Sequence, residues 1–300
     1  MTRVLVLGSS GMLGSMVFHY LSKNPELAVY NTVRDPKYKT QNSIIFDVNT
    51  LDESFTPQFQ DLKLNYIINC IGITKPFSKD SDPEAVKRAI RINAEFPWKL
   101  GVLAKKRNVK VIQIATDCVY SGKKGQYKED DPHDALDVYG KTKSLGEVFD
   151  GTTFNIRNSI IGPEPKKEKS YLLEWFLSQP DGAVLSGFEH HNWNGITTLQ
   201  FAQLCEKIIL KEKYEELLKI SPIQHYLPNS TVTKYHLLEI FKQVFKKNVS
   251  ITCVNKPEEK VDRTLASKFS LLESFMPHQE MKDAINTLEN YMRNNPASYF

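Results

Sequence analysis

The chain has 300 residues, 41% of them hydrophobic and 25% charged, which is long enough to bury a core without disulfides and too apolar for disorder. Thirty-nine basic against thirty-five acidic side chains leave a net charge of +4 with no long single-sign block, which argues against a nucleic-acid partner. The most basic stretch, Lys166, Lys167 and Lys169 around Glu168, reads as a solvated loop. No run approaches the roughly eighteen apolar residues of a membrane helix. Cys70, Cys118, Cys205 and Cys253 show no CxxC or metal-ligand spacing, so free thiols, no metal and a cytoplasmic setting are expected.

Up to about residue 160, short apolar runs alternate with longer amphipathic ones, the pattern of parallel strands crossed over by helices. Strands are predicted at Val4 to Leu7, Ala28 to Val33, Ile44 to Phe46, Tyr66 to Cys70, Val109 to Ala115 and Phe154 to Arg157. Helices are predicted at Met12 to Leu21, 83 to 107 and 138 to 149. The runs IIN and VIQIA suit strands buried on both faces. After Gly162 the pattern loosens, with helices expected near 170–178, 197–219, 232–246 and 279–293 and a strand at Val249 to Val254. A Rossmann-type doubly wound α/β domain over 1–160 is expected. A smaller α+β part over 161–300 follows it, some of whose elements, near 190–230, return to the sheet.

Gly8-Ser9-Ser10-Gly11-Met12-Leu13-Gly14 leaves the first strand and opens the first helix, the context a dinucleotide loop requires. Glycines allow a tight turn and close approach to a pyrophosphate, whose charge meets the helix N-terminus. The spacing is GxxGxxG rather than GxGxxG. Arg34 ends the second strand about twenty residues beyond the loop, where the adenosine ribose is read. An arginine there suits the 2′-phosphate of NADPH, whereas the neighbouring Asp35 suits ribose hydroxyls and keeps NADH open. Asp47 and Val48, after the third strand, are placed to meet adenine or form a surface turn.

Tyr139 and Lys143 stand four apart, on one helical face. An ammonium beside a phenol favours the phenolate, so the pair is expected to have a lowered tyrosine pKa and to move a proton at an oxyanion. Thr116 ends the fifth strand at the sheet edge where open α/β folds bind ligands. Its hydroxyl is suited to polarise the carbonyl that the tyrosine protonates. Cys70, Ile71 and Gly72 follow the fourth strand at the same edge.

GSSGMLG, NCIG, ATDCVY and YGKTK, in this order, resemble the extended short-chain dehydrogenase/reductases. The stretch from Ala115 to Glu147 is similar to the dTDP-4-dehydrorhamnose reductase branch. The likeness covers residues 1 to about 162 and thins beyond, where NIRNSIIG, WNGITTLQFAQL and HYLPNSTVTKYHLLEIF carry it. The resemblance implies reduction, by NADPH, of the C4 ketone of a nucleotide-linked 4-keto-6-deoxy sugar in deoxysugar or polysaccharide biosynthesis. Tyr139 would be the general acid, Lys143 its partner and nicotinamide-ribose ligand, and Thr116 the polarising hydroxyl. Asn93 would order the lysine or a relay water. Thr74, Lys75, Asp117, Cys118, Asn158 and Ile160 would face the sugar. Arg263 would meet the nucleotide diphosphate, against the alternative of a solvated basic loop.

Ile160 stands where the family often carries an aromatic residue, and Trp193-Asn194 precede a Gly-x-x-Thr segment with side chains of their own, of which Trp193 or Asn194 is expected to touch substrate, against the alternative of a tryptophan wedged in the core. Cys118 replaces the glutamate of the related 4,6-dehydratases, which argues against dehydration. It matches instead a cysteine of the GDP-fucose synthase branch, an epimerase and reductase, although the histidine of that branch has no counterpart here. The superfamily also resembles NADP-binding regulatory subunits of the methionine adenosyltransferase type, which lack turnover. The sequence leaves a homodimer open.

Overall fold

A computed structural model describes residues 1–50, 61–165 and 170–296. Lys166, Lys167 and Lys169 lie outside the described residues. The first half runs β1 (Thr2–Leu7), α1 (Met12–Leu21), β2 (Leu27–Val33), β3 (Ser43–Ile45), β4 (Tyr66–Asn69), α2 (Pro83–Ala89), α3 (Phe96–Lys106), β5 (Lys110–Thr116), α4 (Val138–Leu145) and β6 (Thr153–Asn158). Then come β7 (Ile160–Ile161), α5 (Leu172–Leu177), β8 (Val184–Phe188), β9 (His191–Trp193), β10 (Ile196–Thr197), α6 (Thr198–Leu210), α7 (Tyr214–Ile220) and β11 (Ile223–His225). The chain closes with β12 (Val232–Thr233), α8 (Lys234–Val244), β13 (Ser250–Val254), β14 (Val261–Asp262) and α9 (Met281–Asn294).

Strand β1 shows why the sheet forms. Val4 and Val6 join the apolar layer that holds α1 and α6, while Leu5 and Leu7 join the layer against α3. Successive side chains of a strand point to opposite faces, so a continuous apolar run is buried twice. The seven strands lie in the order β11-β6-β5-β4-β1-β2-β3, all parallel. This is a Rossmann-type α/β fold. The direction of winding reverses between β1 and β4, which opens a crevice at their carboxyl ends. Strand β11 reaches the sheet edge from the C-terminal half and pairs with β6. The rest of that half builds small sheets of its own, β12-β9-β14, β13-β8 and β10-β7.

The single helix expected over 83–107 is three pieces, because a π-helical segment, Ile90–Glu95, separates α2 from α3. Pro97 has no N–H for the carbonyl of Asn93 four residues back. That carbonyl instead faces Gly146, where a Cβ would come within 1.8 Å of it. The widened turn and the glycine together let the end of α4 lie against the π segment. The helix expected over 138–149 stops at Leu145, and the one expected over 197–219 divides into α6 and α7.

Candidate active site

The glycine loop is a rigid object. Gly8 has φ +80°, and a Cβ on Gly14 would lie 2.3 Å from the Gly8 carbonyl oxygen, so neither position takes a side chain without rearrangement. Gly11 precedes α1 without a side-chain cap, which leaves the first N–H groups of the helix unspent. The turn is latched to the end of β2. Gly8 N donates to Thr32 Oγ1 at 2.9 Å, Ser9 Oγ to Thr32 O at 3.0 Å, and Asn31 Nδ2 to Ser9 Oγ at 2.7 Å. Leu13 packs in the core, whereas Ser10, Gly11 and Met12 keep partial exposure. These features fit a pyrophosphate-bearing group at the helix N-terminus.

Arg34 is exposed at the end of β2. Asp35 is engaged elsewhere: its carboxylate caps the turn at Lys37 N and pairs with the Lys37 ammonium at 2.9 Å. Asp47 accepts from Asn49 in a local turn, and Val48 is buried in the core. Across the crevice, Ile71 N donates to Asn69 Oδ1, and Ile71 touches the position of a Gly8 Cβ. Burial pushes the Cys70 thiol up. Gly72 is exposed. The Asn93 amide is consumed by Ile73, whose N–H donates to Oδ1 at 2.8 Å and whose carbonyl accepts from Nδ2 at 2.9 Å, and by Thr142 Oγ1. Asn93 therefore orders the loop after β4 rather than binding Lys143.

Asp137 caps α4 through Gly140 N, which starts the helix one residue before Tyr139 and sets its register. Gly140 is needed there, since its Cβ would lie 2.5 Å from the Cys118 carbonyl. Tyr139 then faces Thr116, and Lys143 is buried with Nζ donating to Ile114 O at 3.0 Å. The expected lowering of the tyrosine pKa is not found. Burial pushes the phenol up, with the neighbouring Cys118 and Asp117 adding to it and the Thr116 hydroxyl opposing. The reason is directional: the groups that act on the Lys143 ammonium are Glu147 and the Cys70 thiol rather than Tyr139, and burial brings the lysine down to about 8.

Thr116 Oγ1 accepts from Cys118 N and donates to Asp117 Oδ1 at 3.2 Å. Burial raises Asp117, and it lifts the Cys118 thiol to about 12. Asn158 lies in register with Thr116 on the neighbouring strand, so both side chains leave the same face of the sheet. Asn158 is 2% exposed, and neither of its amide atoms has a hydrogen-bond partner among the described residues. An amide buried in that state is costly unless something else fills its valences.

Other expected contacts separate. Lys75 pairs with Asp137 at 2.7 Å, and Thr74 Oγ1 lies 2.9 Å from Tyr171 Oη. Ile160 pairs with Ile196 beside the core. Asn194 spends its amide on the backbone of Leu265, donating to its carbonyl at 2.8 Å and accepting from its N–H at 3.0 Å. Trp193 is 4% exposed. Arg263 Nε donates to Tyr120 O, and its charge acts on Asp117 and Cys118.

Two residues at this site were missed. Lys234, the first residue of α8, holds its ammonium 4.6 Å from the centre of the Trp193 ring, and burial brings it down to about 8 against the charge of Asp117. Tyr171, just before α5, reaches over to Thr74 and is close enough to act on Tyr139. Neither carries a spacing signal; both arrive from the C-terminal half through tertiary packing.

Fold and site together define a Rossmann-type chain with a Thr, Tyr-x-x-x-Lys arrangement at the carboxyl edge of the sheet. The chain belongs to the RmlD substrate binding domain family, whose model matches residues 1–153. It is 30% identical over 245 residues to the methionine adenosyltransferase 2 subunit beta of Rattus norvegicus, covering 78% of this chain and 70% of that one. It is 31% identical over 148 residues to the dTDP-4-dehydrorhamnose reductase of Aggregatibacter actinomycetemcomitans, covering 49% of this chain and 46% of that protein. Among solved structures, the dTDP-4-dehydrorhamnose reductase of Bacillus anthracis, in complex with NADP, superposes with a TM-score of 0.75 at 19% identity, over 97% of this chain and all of that one. That likeness is one of fold.

Proposed function

We propose that the protein is an NADPH-dependent reductase of the C4 ketone of a nucleotide-linked 4-keto-6-deoxy sugar, acting in deoxysugar or polysaccharide biosynthesis. The observation that carries this reading is the meeting of Thr116, Tyr139 and buried Lys143 beside the unsatisfied amide of Asn158, at the crevice that begins with the glycine loop. The family and the aligned bacterial reductase support the same chemistry.

Gly8 to Gly14 would hold the pyrophosphate, Arg34 the 2′-phosphate and Lys143 the nicotinamide ribose. The engagement of Asp35 by Lys37 favours NADPH over NADH. NADPH, when bound, supplies a hydride. Thr116 Oγ1 would turn its proton from Asp117 toward the ketone oxygen, and Tyr139 would deliver its phenolic proton to the alkoxide. A phenol pushed up by burial holds that proton at neutral pH, as a reductase in this direction requires. Asn158 and Lys234 offer donors to ring oxygens. An epimerase step through Cys118 is disfavoured, because burial keeps its thiol protonated.

The decisive experiment is NADPH oxidation against dTDP-, UDP-, GDP- and CDP-linked 4-keto-6-deoxyhexoses, with NADH and Tyr139→Phe as controls. Turnover of one member, reduced ~10³-fold or more in the variant, is the expected result. A second reading, an NADP-binding regulatory subunit, has one observation in its favour: the alignment with the rat subunit extends over 245 residues, well beyond the Rossmann half. Tight NADPH binding without turnover of any sugar would select it.

A further inference from the structure

We propose that Lys234 and Arg263, set on one face of the β12-β9-β14 sheet with Trp193 between them, hold the diphosphate of the sugar nucleotide, and that Lys234 decides how tightly it is held. The inference rests on the reading of the substrate as nucleotide-linked and deepens it by naming where its anion sits.

Strand register places the two cations. Val232 pairs with Trp193 and Thr233 with Asn192 on one side of β9, while Val261 pairs with His191 and Asp262 with Asn192 on the other. Partners in register share a face, and successive residues alternate between faces. Asn192 and Asp262 meet on one face, where Asn192 Nδ2 donates to Asp262 Oδ2 at 2.7 Å. The next residue of each flanking strand, Lys234 and Arg263, falls on the other face with His191 and Trp193. Two contacts agree with this placement. The Lys234 ammonium lies 4.6 Å from the centre of the Trp193 ring, and Arg263 Nε donates to Tyr120 O at 2.9 Å, which turns the face toward the segment that follows Thr116.

Both half-buried cations keep free donors. Among the described residues, Lys234 Nζ has no hydrogen bond or ion pair, and the terminal nitrogens of Arg263 donate to nothing. An aromatic face steadies an ammonium without taking its hydrogens as an oxygen would. The ring is itself fixed: Trp193 is 4% exposed, and a Cβ on Gly195 would lie 2.3 Å from Trp193 Cζ2. Thr233 caps α8 through His236 N, which makes Lys234 the first residue of that helix. The donors are therefore ordered before a ligand arrives. Asp117 is the one carboxylate that acts on Lys234, so it offsets at most one of the two charges. His191 adds none to the balance, since burial holds it low, with His190, Lys234 and Arg263 adding to the effect. A net positive charge remains on this face, and the diphosphate is the anionic part of a nucleotide-linked 6-deoxy sugar. A guanidinium edge and an ammonium suit adjacent phosphate oxygens, and the three hydrogens of Lys234 leave one for a ring oxygen.

The test is calorimetric binding of dTDP, UDP, GDP and CDP, each beside its nucleoside, to the NADPH-loaded protein at pH 7 and two salt concentrations. One diphosphate should bind far more tightly than its nucleoside. Lys234→Gln should weaken that diphosphate on the order of 10–100-fold, the worth of a hydrogen bond to a charged group, and flatten its salt dependence. The nucleoside and NADPH should bind as before, and Lys234→Arg should restore most of the loss. In the turnover assay KM for the sugar nucleotide should rise by a similar factor, with kcat changed far less. With Trp98→Phe and Trp175→Phe leaving Trp193 as the only tryptophan, the diphosphate should shift the indole emission in the parent and not in Lys234→Gln. Should Lys234→Gln fail to fold, Lys234→Met keeps the stem over the ring and repeats the test. An unchanged affinity for the diphosphate, or an equal loss for diphosphate and nucleoside, overturns the proposal and leaves the reductase reading to the turnover assay. A protein that binds NADPH but no diphosphate, and turns over no sugar nucleotide, removes the nucleotide-linked substrate itself and the proposal with it.

Discussion

Two buried polar regions flank the Tyr139–Lys143 stripe of α4, and they are built on opposite rules. Behind it, every group around Arg157 is paired. Nε and Nη2 grip the Glu147 carboxylate at 3.0 and 2.7 Å. Nη1 donates to Tyr120 Oη at 2.6 Å and to His225 Nε2 at 2.8 Å, and Nη2 donates to His133 Nε2. Because arginine only donates, both imidazoles must carry their proton on Nδ1, which His225 gives to Ala266 O at 2.7 Å and His133 to Ser144 Oγ at 2.6 Å. In front, Asn158 has two unfilled amide atoms and Lys234 rests on an aromatic ring. A saturated network specifies one arrangement and gains nothing from a ligand. An unsaturated one leaves donors and acceptors that a ligand could fill, which is the role proposed for Asn158.

Three substitutions or conditions would break or sharpen that contrast. The largest effect is expected behind the stripe. Arg157→Met strands Glu147 as an unpaired buried charge, and denaturant unfolding should show a loss of about 3–5 kcal/mol. Next is a pH effect. Burial and Arg157 bring His225 down to about 4, against an ordinary 6.5. The unfolded chain therefore takes up a proton below pH 6.5 that the folded chain refuses until about 4. Stability should fall across that window, by about 3 kcal/mol, and the fall should shrink in a His225→Gln variant. Smallest in stability is Asn158→Ala, in front of the stripe. Its melting point should stay within the shift expected for about 0.5 kcal/mol, while KM for the sugar nucleotide rises about tenfold. A large loss of stability in Asn158→Ala would place it with the scaffold.

How much of this was legible follows from the range of the interactions. The glycine loop, Thr116 at a strand end and the Tyr139–Lys143 pair are local: each is fixed by a few neighbouring residues and the period of its element. The π segment needed Pro97, Asn93 and Gly146 to be read together, although the last lies far along the chain. The partners of Arg157 come from four separated segments, and Lys234 and Tyr171 approach from the other half. The missing shift in Tyr139 has a similar origin. Spacing places a lysine beside a tyrosine, but only the packed structure says where its ammonium points and how much water is left. Asn194 shows the converse, since spacing alone gives no sign that its amide pegs the Leu265 backbone.

The latch of Ser9, Asn31 and Thr32 on the glycine loop has an energetic consequence for recognition. Ordering a loop residue upon binding costs about 1–2 kcal/mol, and here that ordering belongs to folding, since the turn is tied to β2 by three hydrogen bonds. Preorganisation of this kind removes that cost from the binding step, for a small ligand as for a large one. Fragments that carry little more than a diphosphate should retain measurable binding, and the loop should show the same backbone order with or without them.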